Sequence, residues 1–171
     1  MSKITLLDYT QIDTLIKATA MPYQSKETKG LVKRVWNSQH RSIARHGMAS
    51  FLIEDVSQSL LRQISRHPFL NLTVKSTRYC DMTDSKIYVP ESNIRKLEKI
   101  VSDKLSKRYE QDIKVGLMSE YKEDMEEIML IYNKWKRYEG EEKEVDVAKL
   151  FLPLASTTDL VVSSNYQGWY E

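Results

Sequence analysis

Apolar positions three and four residues apart mark the first part of the chain as helical. This spacing predicts a helix over residues 8–20, with Thr10 as its N-cap, and a second helix over residues 29–38. Met21-Pro22 ends the first helix, because proline disfavours helical backbone in the residue before it. A polar connection at residues 40–42 follows the second helix.

Short apolar runs further along the chain predict strands that alternate with helices. Residues 48–54 are typical of a strand, after which Asp55 is expected to cap a helix over residues 56–66. Residues 86–89 predict another short strand, closed by Pro90, which cannot donate a hydrogen bond to a sheet. Helices and strands are therefore both predicted between residues 48 and 89.

A long, strongly charged helical pattern dominates the second half of the chain. It extends from residue 91 to about residue 138 and breaks near residues 115–116, and its apolar stripes indicate core contacts rather than a cofactor site. The charged run 139–144 indicates a solvated loop. A short helix over residues 145–150 is predicted next, and an apolar, β-branched run follows it.

Length and composition narrow the class of protein. The 171 residues are expected to form one domain, residues 1–171, and 41% hydrophobic residues suffice for a core. The net charge of +2 argues against a nucleic-acid partner. The single cysteine, Cys80, excludes an intrachain disulfide and a Cys-based zinc site, and no cluster around the three histidines indicates a metal. Without a signal peptide or a membrane-length apolar run, we expect a cytoplasmic protein with no membrane partner.

The strongest chemical signal is a cluster of polar and basic residues within 17 positions. It comprises Gln63-Ile64-Ser65-Arg66-His67 and, after eight residues, Ser76-Thr77-Arg78-Tyr79. Arginine binds phosphate oxygens in a bidentate manner, so two arginines and a histidine beside apolar residues indicate an anion pocket. The alternative is a helix end followed by a solvated polar turn, and the local sequence leaves both open.

The spacing of this cluster resembles that of the flavin-dependent thymidylate synthases (the ThyX type). That family has an Arg-His-Arg triplet, seven further residues, and then a serine that leads to Arg-Tyr. This chain has Arg66-His67-Pro68, seven residues, and Ser76-Thr77-Arg78-Tyr79. The resemblance covers most of the chain in the family's order, through these further positions: His40, Ser42, residues 51–57, Gln63, Ala148-Lys149, Leu152-Pro153, Thr158 and Asn165.

The resemblance implies a fold, a reaction and an assembly. The fold would be α+β, with a small, mostly antiparallel sheet packed with long helices. The reaction would convert dUMP to dTMP on FAD, with methylenetetrahydrofolate as the carbon donor and NADPH as the reductant. The family's enzymes are homotetramers, so self-association is expected. By its resemblance the chain is also expected to lack the family's last C-terminal helices, since it stops at Glu171.

The resemblance also assigns roles to individual residues. The expected cofactor-binding residues are His40, Ser42, Arg66, His67 and Asn165. The expected substrate-binding residues are Gln63, Arg66, Ser76, Arg78 and Lys149, of which Ser76 and Arg78 are the expected catalytic residues. The Ser76 hydroxyl has no evident base partner in the sequence, so hydrogen bonding is expected of it rather than nucleophilic attack. Cys80 is interpreted as structural, because the family needs no cysteine nucleophile.

Departures from the family pattern keep other functions open. Pro68 replaces the second arginine of the triplet, and Lys149 replaces an arginine. Arg45 stands where the family has glutamate, Val74 also where it has glutamate, and Gln167 where it has arginine. One alternative is therefore a catalytically degenerate homologue that binds nucleotide or flavin as a subunit or regulator. Another is an enzyme that acts on a different pyrimidine nucleotide.

Overall fold

A computed structural model describes residues 2–140 and 146–171 of the chain. Its contacts divide the chain into two compact units, of which the first runs through Lys75 and resumes at Thr158–Glu171, and the second is Ser76–Thr157. The prediction of a single domain stays a prediction. The regular elements are strands β1 (Lys3–Tyr9), β2 (Met48–Ser57), β3 (Asn71–Val74) and β4 (Thr157–Asn165), and helices α1 (Ile12–Ala20), α2 (Lys29–Asn37), α3 (Gln58–Ile64), α4 (Glu91–Tyr109), α5 (Leu117–Glu139) and α6 (Tyr166–Tyr170).

A four-stranded sheet in the order β1-β2-β4-β3 forms the centre of the first unit. The β1–β2 and β3–β4 pairs are antiparallel, with Lys3 opposite Glu54 and Asn71 opposite Ser163. The sheet core is built on Val56, Leu160 and Val162, each at most 2% exposed, and the two valines suit the preference of β-branched side chains for a pleated surface. The α+β fold with a small, mostly antiparallel sheet is therefore confirmed.

The helices of the first unit begin where a side chain can satisfy their first amide groups. Thr28 accepts a hydrogen bond from the Leu31 N–H at 3.2 Å at the start of α2, and Ser57 accepts one from the Leu60 N–H at 3.2 Å at the start of α3. Such N-caps contribute about 1 kcal/mol each. The Ser57 cap marks the start of α3, the helix that ends at Ile64, shortly before Arg66.

The second unit packs the two long helices against a core of their own. Tyr132 on α5, with Met82 and Ala148, is at most 1% exposed, and the Tyr132 hydroxyl accepts a hydrogen bond from the Met82 N–H at 3.3 Å. The Glu98 carboxylate on α4 accepts from the first two N–H groups of α5 at 2.9 and 3.1 Å. These bonds compensate the unpaired amides of a helix start.

Two predicted helix starts are wrong. Residues 3–9 form β1, so the first helix begins at Ile12 instead of residue 8. Thr10 does not cap it, because the Thr10 hydroxyl accepts from the Met48 N–H at 3.0 Å. The third helix is capped by Ser57 and not by Asp55, which lies within β2 and donates its N–H to the Asp159 carboxylate at 3.0 Å.

Most other elements agree with the predictions. The helix over residues 29–38 is confirmed within one residue, and the helical stretch 91–138 is confirmed at both of its ends. The break is wider than the predicted residues 115–116, because α4 ends at Tyr109 and α5 begins at Leu117. The predicted strand at residues 86–89 is reduced to a single bridge between Ile87 and Ser156. The predicted helix over 145–150 is a 3₁₀ helix, Ala148–Phe151, and residues 141–144 of the predicted charged loop lie outside the described residues. No helix in the described ranges is both long and apolar enough to cross a membrane.

Candidate functional site

In the second unit, two basic side chains meet on one carboxylate. Arg78 Nε lies 3.0 Å from Asp146 Oδ1, and Arg78 Nη2 lies 3.3 Å from Asp146 Oδ2, a two-pronged contact. Lys149 Nζ lies 2.6 Å from Asp146 Oδ1. The structure thus brings together Arg78 and Lys149, two residues predicted to bind the substrate, in a cluster whose formal charge is +1.

Ser76 positions the arginine of this cluster. Its hydroxyl oxygen accepts from the Arg78 N–H at 3.2 Å, and its carbonyl accepts from the Cys80 N–H at 3.1 Å. Two hydrogen bonds to one residue fix the turn from which the Arg78 side chain extends. Cys80 itself is half-buried against the Tyr132 core, in agreement with the structural role expected of it.

Glu139, the last residue of α5, holds the other side of the cluster. Its carboxylate accepts from the Val147 N–H at 2.6 Å and from the Ala148 N–H at 3.1 Å. Those two residues lie between Asp146 and Lys149, and Ala148 is fully buried. A carboxylate is unfavourable at a helix C-terminus, because it lies at the negative end of the helix dipole. The two hydrogen bonds compensate this cost, and they hold the segment that contains the Asp146 partner of Arg78.

Charge pairing governs the ionisation of Asp146. The hydrogen bond from Lys149 and the positive charge of Arg78 lower the pKa of Asp146 below its ordinary value. Asp146 is exposed, so solvent screens both pairs and each contributes little to stability. The carboxylate is consequently ionised at neutral pH.

In the first unit, Gln63, Arg66 and His67 lie at the end of α3. The chain leaves the helix in a turn in which the Arg66 N–H donates to the Gln63 carbonyl at 3.2 Å and the His67 N–H donates to the Ile64 carbonyl at 3.0 Å. The side chains of Gln63 and Arg66 are exposed, and no described residue pairs with the Arg66 guanidinium. His67 Nδ1 is buried, and the described part of the chain offers it no hydrogen-bond partner.

The junction of β4 and α6 connects this turn to the predicted cofactor residues. Ser164 donates its hydroxyl to the Phe69 carbonyl at 2.6 Å, two residues after His67. Asn165 caps α6 through a bond from the Gly168 N–H at 2.9 Å, so one of its amide oxygen's lone pairs is used locally. The structure therefore places Asn165 next to the segment that follows the Arg66-His67 turn.

The same junction contacts the 3₁₀ helix Arg41–His46, which contains Ser42. The Tyr166 N–H donates to the Gly47 carbonyl at 2.9 Å, and Arg45 Nε donates to Gln167 Oε1 at 2.7 Å. Ser42 and the preceding His40 are exposed. Two of the departures from the family pattern, Arg45 and Gln167, are thus 122 residues apart in sequence and in direct contact.

The predicted site residues form two groups, one in each unit. The first comprises Gln63, Arg66 and His67 with the Ser42 and Asn165 segments, and the second comprises Ser76, Arg78 and Lys149. Asp146 and Glu139 were not predicted. The spacing of Asp146 three residues before Lys149 was a detectable signal, because such residues face each other on a helical turn; Glu139 had no comparable signal.

Comparison with known proteins identifies relatives across nearly the whole chain. The family model described as thymidylate synthase complementing protein matches residues 5–171. A probable flavin-dependent thymidylate synthase of Mycobacterium phage D29 is 26% identical over 146 residues, which are 85% of this chain and 58% of the relative. The flavin-dependent thymidylate synthase of Mycobacterium avium (strain 104) is 23% identical, over 82% of this chain and 54% of that protein. The chain therefore spans a little over half the length of these relatives.

A solved structure shares the fold. Thymidylate Synthase X (ThyX) from Helicobacter pylori, crystallised with FAD and dUMP, superimposes with a TM-score of 0.64 at 24% identity, over 98% of this chain and 80% of that one. At this identity the likeness supports the fold alone. The match of the family model to residues 5–171 establishes the family: the chain belongs to the thymidylate synthase complementing proteins, the ThyX type of flavin-dependent thymidylate synthase.

Proposed function

We propose that this chain carries out the reductive methylation of dUMP to dTMP, with FAD as cofactor, methylenetetrahydrofolate as carbon donor and NADPH as reductant. The single observation that carries the proposal is the meeting of Arg78 and Lys149 on one carboxylate, since the resemblance to the family predicts both as nucleotide-binding residues. The match of the family model to residues 5–171 supports the same reaction. A cluster that combines one planar and one compact cation suits the phosphate of a nucleotide, and the pyrimidine base is what the family resemblance implies.

The residues of the first unit fit FAD. The cofactor carries a diphosphate, and Arg66 is an exposed guanidinium that no described residue pairs with. His67 Nδ1, a buried polar atom without a partner in the described ranges, can bond to a ligand instead. The exposed His40 and Ser42 and the remaining amide hydrogens of Asn165 supply further polar groups. When bound, FAD supplies the redox chemistry, while the protein binds and orients the reactants.

The residues of the second unit are proposed to hold the phosphate of the nucleotide. Arg78 presents a fork that matches phosphate oxygens, and Lys149 adds a point charge. Ser76 fixes the Arg78 backbone through its hydroxyl oxygen, and the same hydroxyl hydrogen can donate to a bound nucleotide. For Gln63, which lies in the first unit, contact with the nucleotide stays a prediction from the resemblance. Ser76 is therefore proposed to position Arg78 and to donate a hydrogen bond to the nucleotide, without any attack on the substrate.

A catalytically degenerate relative is the second candidate function. Pro68 favours it, since this residue lacks both the cation and the backbone donor expected beside His67. Such a protein would keep nucleotide binding at Arg78 and Lys149 without turnover. For either function we propose a homotetramer in the cytoplasm, in agreement with the assembly and location expected from the sequence.

Flavin binding and turnover test the proposal separately. Purified protein titrated with FAD should show a bound-flavin absorbance spectrum, and protein with FAD, methylenetetrahydrofolate and NADPH should release tritium from [5-³H]dUMP. Arg78→Ala should weaken dUMP binding by about tenfold or more, because it removes charge-assisted hydrogen bonds. The matched control is Arg95→Ala, which removes an arginine paired with Glu91 on the surface of α4.

The outcomes separate the candidates. Tritium release that is lost in Arg78→Ala and kept in Arg95→Ala supports the enzyme. Binding of dUMP without tritium release, in protein that carries FAD, supports the degenerate relative. Equal dUMP binding by both variants would show that the phosphate site is assigned wrongly.

A further inference from the structure

The two cations proposed to hold the nucleotide phosphate are already joined to an anion of the protein. Asp146 offers both carboxylate oxygens to Arg78, at 3.0 and 3.3 Å, and one of them to Lys149 at 2.6 Å. A phosphate bound by the same groups would use the same donor atoms. The carboxylate and the phosphate are thus alternative occupants of one set of hydrogen-bond donors.

The exposure of the three side chains favours exchange. Asp146 is 55% exposed at its side chain, against 43% for Arg78 and 25% for Lys149. Pairs between exposed charges contribute little, because water competes for both partners. A phosphate dianion brings one more negative charge and one more oxygen to the donors than a carboxylate does, so it is the stronger partner for two cations.

The backbone that follows Asp146 is held in place by two hydrogen bonds. Glu139 holds the N–H groups of Val147 and Ala148, and Ala148 is fully buried. Lys149 therefore keeps its place when Asp146 loses its contacts. The Asp146 side chain precedes this anchored pair of residues and can turn into solvent by rotation about its own χ angles.

We propose that Asp146 is an internal counter-ion that a phosphate must displace from Arg78 and Lys149, so that it weakens the binding of every ligand that uses these two cations. The inference rests on the proposed function of this site. Its consequence is a cost in affinity for phosphate-bearing ligands, which have to replace the carboxylate. A nucleoside without a phosphate leaves the carboxylate in place and carries no such cost.

The test compares wild type with Asp146→Asn, a substitution close to isosteric that removes the competing charge. Isothermal titration measures binding of dUMP, of deoxyuridine and of inorganic phosphate to the 171-residue chain with FAD added. The control for a lost surface carboxylate is Glu91→Gln, which breaks the Arg95 pair on α4 in the same unit. Far-UV circular dichroism and the urea midpoint confirm that both variants are folded.

We expect Asp146→Asn to bind dUMP and inorganic phosphate about three- to tenfold more tightly than wild type, since two weak exposed pairs no longer compete. Deoxyuridine binding should be the same in both proteins, and Glu91→Gln should behave as wild type. The gain should disappear when Arg78→Ala is combined with Asp146→Asn, since the gain depends on the released arginine.

Two results would overturn the inference. Weaker phosphate and dUMP binding by Asp146→Asn would mean that the carboxylate orients the cations for the ligand, and unchanged binding would mean that it does not compete. Failure of the proposed function looks different: wild type would bind inorganic phosphate but not dUMP, and the phosphate titrations would still decide the part played by Asp146.

Discussion

The ion pair between Asp81 and Lys136 makes the stability of the second unit depend on pH. Asp81 accepts a hydrogen bond from the Thr83 N–H at 2.8 Å and pairs with Lys136, which also donates to the Thr83 hydroxyl at 3.1 Å. The hydrogen bonds from Lys136 and Thr83 lower the pKa of Asp81 from 3.8 to about 2. Asp81→Asn removes the charge and keeps an oxygen for the Thr83 N–H, so it isolates the ion pair.

The size of the effect follows from the pKa and from the exposure of the pair. A fall from 3.8 to about 2 corresponds to at most about 2.4 kcal/mol at 1.36 kcal/mol per pH unit. The Asp81 side chain is 61% exposed, so solvent screening reduces the expected value to about 1 kcal/mol. Because the pKa is lower in the folded state, this stabilisation is complete above pH 3.8 and is lost as the pH falls through about 2.

Urea unfolding at two pH values measures this contribution. Followed by tryptophan fluorescence, with Trp135 stacked on Phe151 in the same unit, unfolding of Asp81→Asn at pH 7 should cost about 1 kcal/mol less than that of wild type. At pH 3 about half of the difference should remain. Glu91→Gln, which breaks an exposed pair four residues apart on α4, should cost at most about 0.5 kcal/mol. A difference between Asp81→Asn and wild type that is equal at pH 7 and pH 3 would refute the reasoning.

Two further substitutions test contacts of the second unit. Tyr132→Phe removes the oxygen that accepts from the Met82 N–H in a fully buried site, so the free energy of unfolding should fall by about 1–3 kcal/mol; a urea midpoint equal to that of wild type would contradict this. Glu139→Gln weakens the two backbone bonds behind Asp146, so it should lower dUMP affinity several-fold in calorimetry, and affinity equal to wild type would show that Glu139 has no positioning effect.

The long elements of the fold could be predicted from the sequence, while the edge strands could not. The helices α4 and α5 show many turns of the helical pattern, and Gly116 marks the break between them. β1 gives no such signal, since six of its seven residues are exposed and its apolar side chains follow no alternation. β3 has only four residues, too few for a period of two to be recognised. Tertiary pairing defines both strands.

The same division applies to the candidate site. The identities of Ser76, Arg78 and Lys149 follow from spacing that resembles a family, but their partners do not. Asp146 is 68 residues from Arg78 in sequence, and no local pattern connects them. In the sequence, Glu139 is only the last residue of a charged helix. Its carboxylate accepts hydrogen bonds from Val147 and Ala148 only when α5 packs against the Asp146–Lys149 segment. The type of each site residue can be predicted from the local sequence, whereas the charged partners around it depend on the tertiary fold.

The departures from the family pattern are expected to reduce activity less when the contacts of the substituted residues are considered than when each substitution is considered alone. Arg45 replaces an acid and Gln167 replaces an arginine, yet the two residues meet at 2.7 Å, so a cation is still present beside the Asn165 segment. Lys149 keeps its charge and its contact to Asp146. Pro68 differs from both, because it removes a cation and a backbone donor together. At this turn, the exposed Arg66 therefore supplies the positive charge of the proposed flavin diphosphate site. A loss of the family's reaction would begin at this turn.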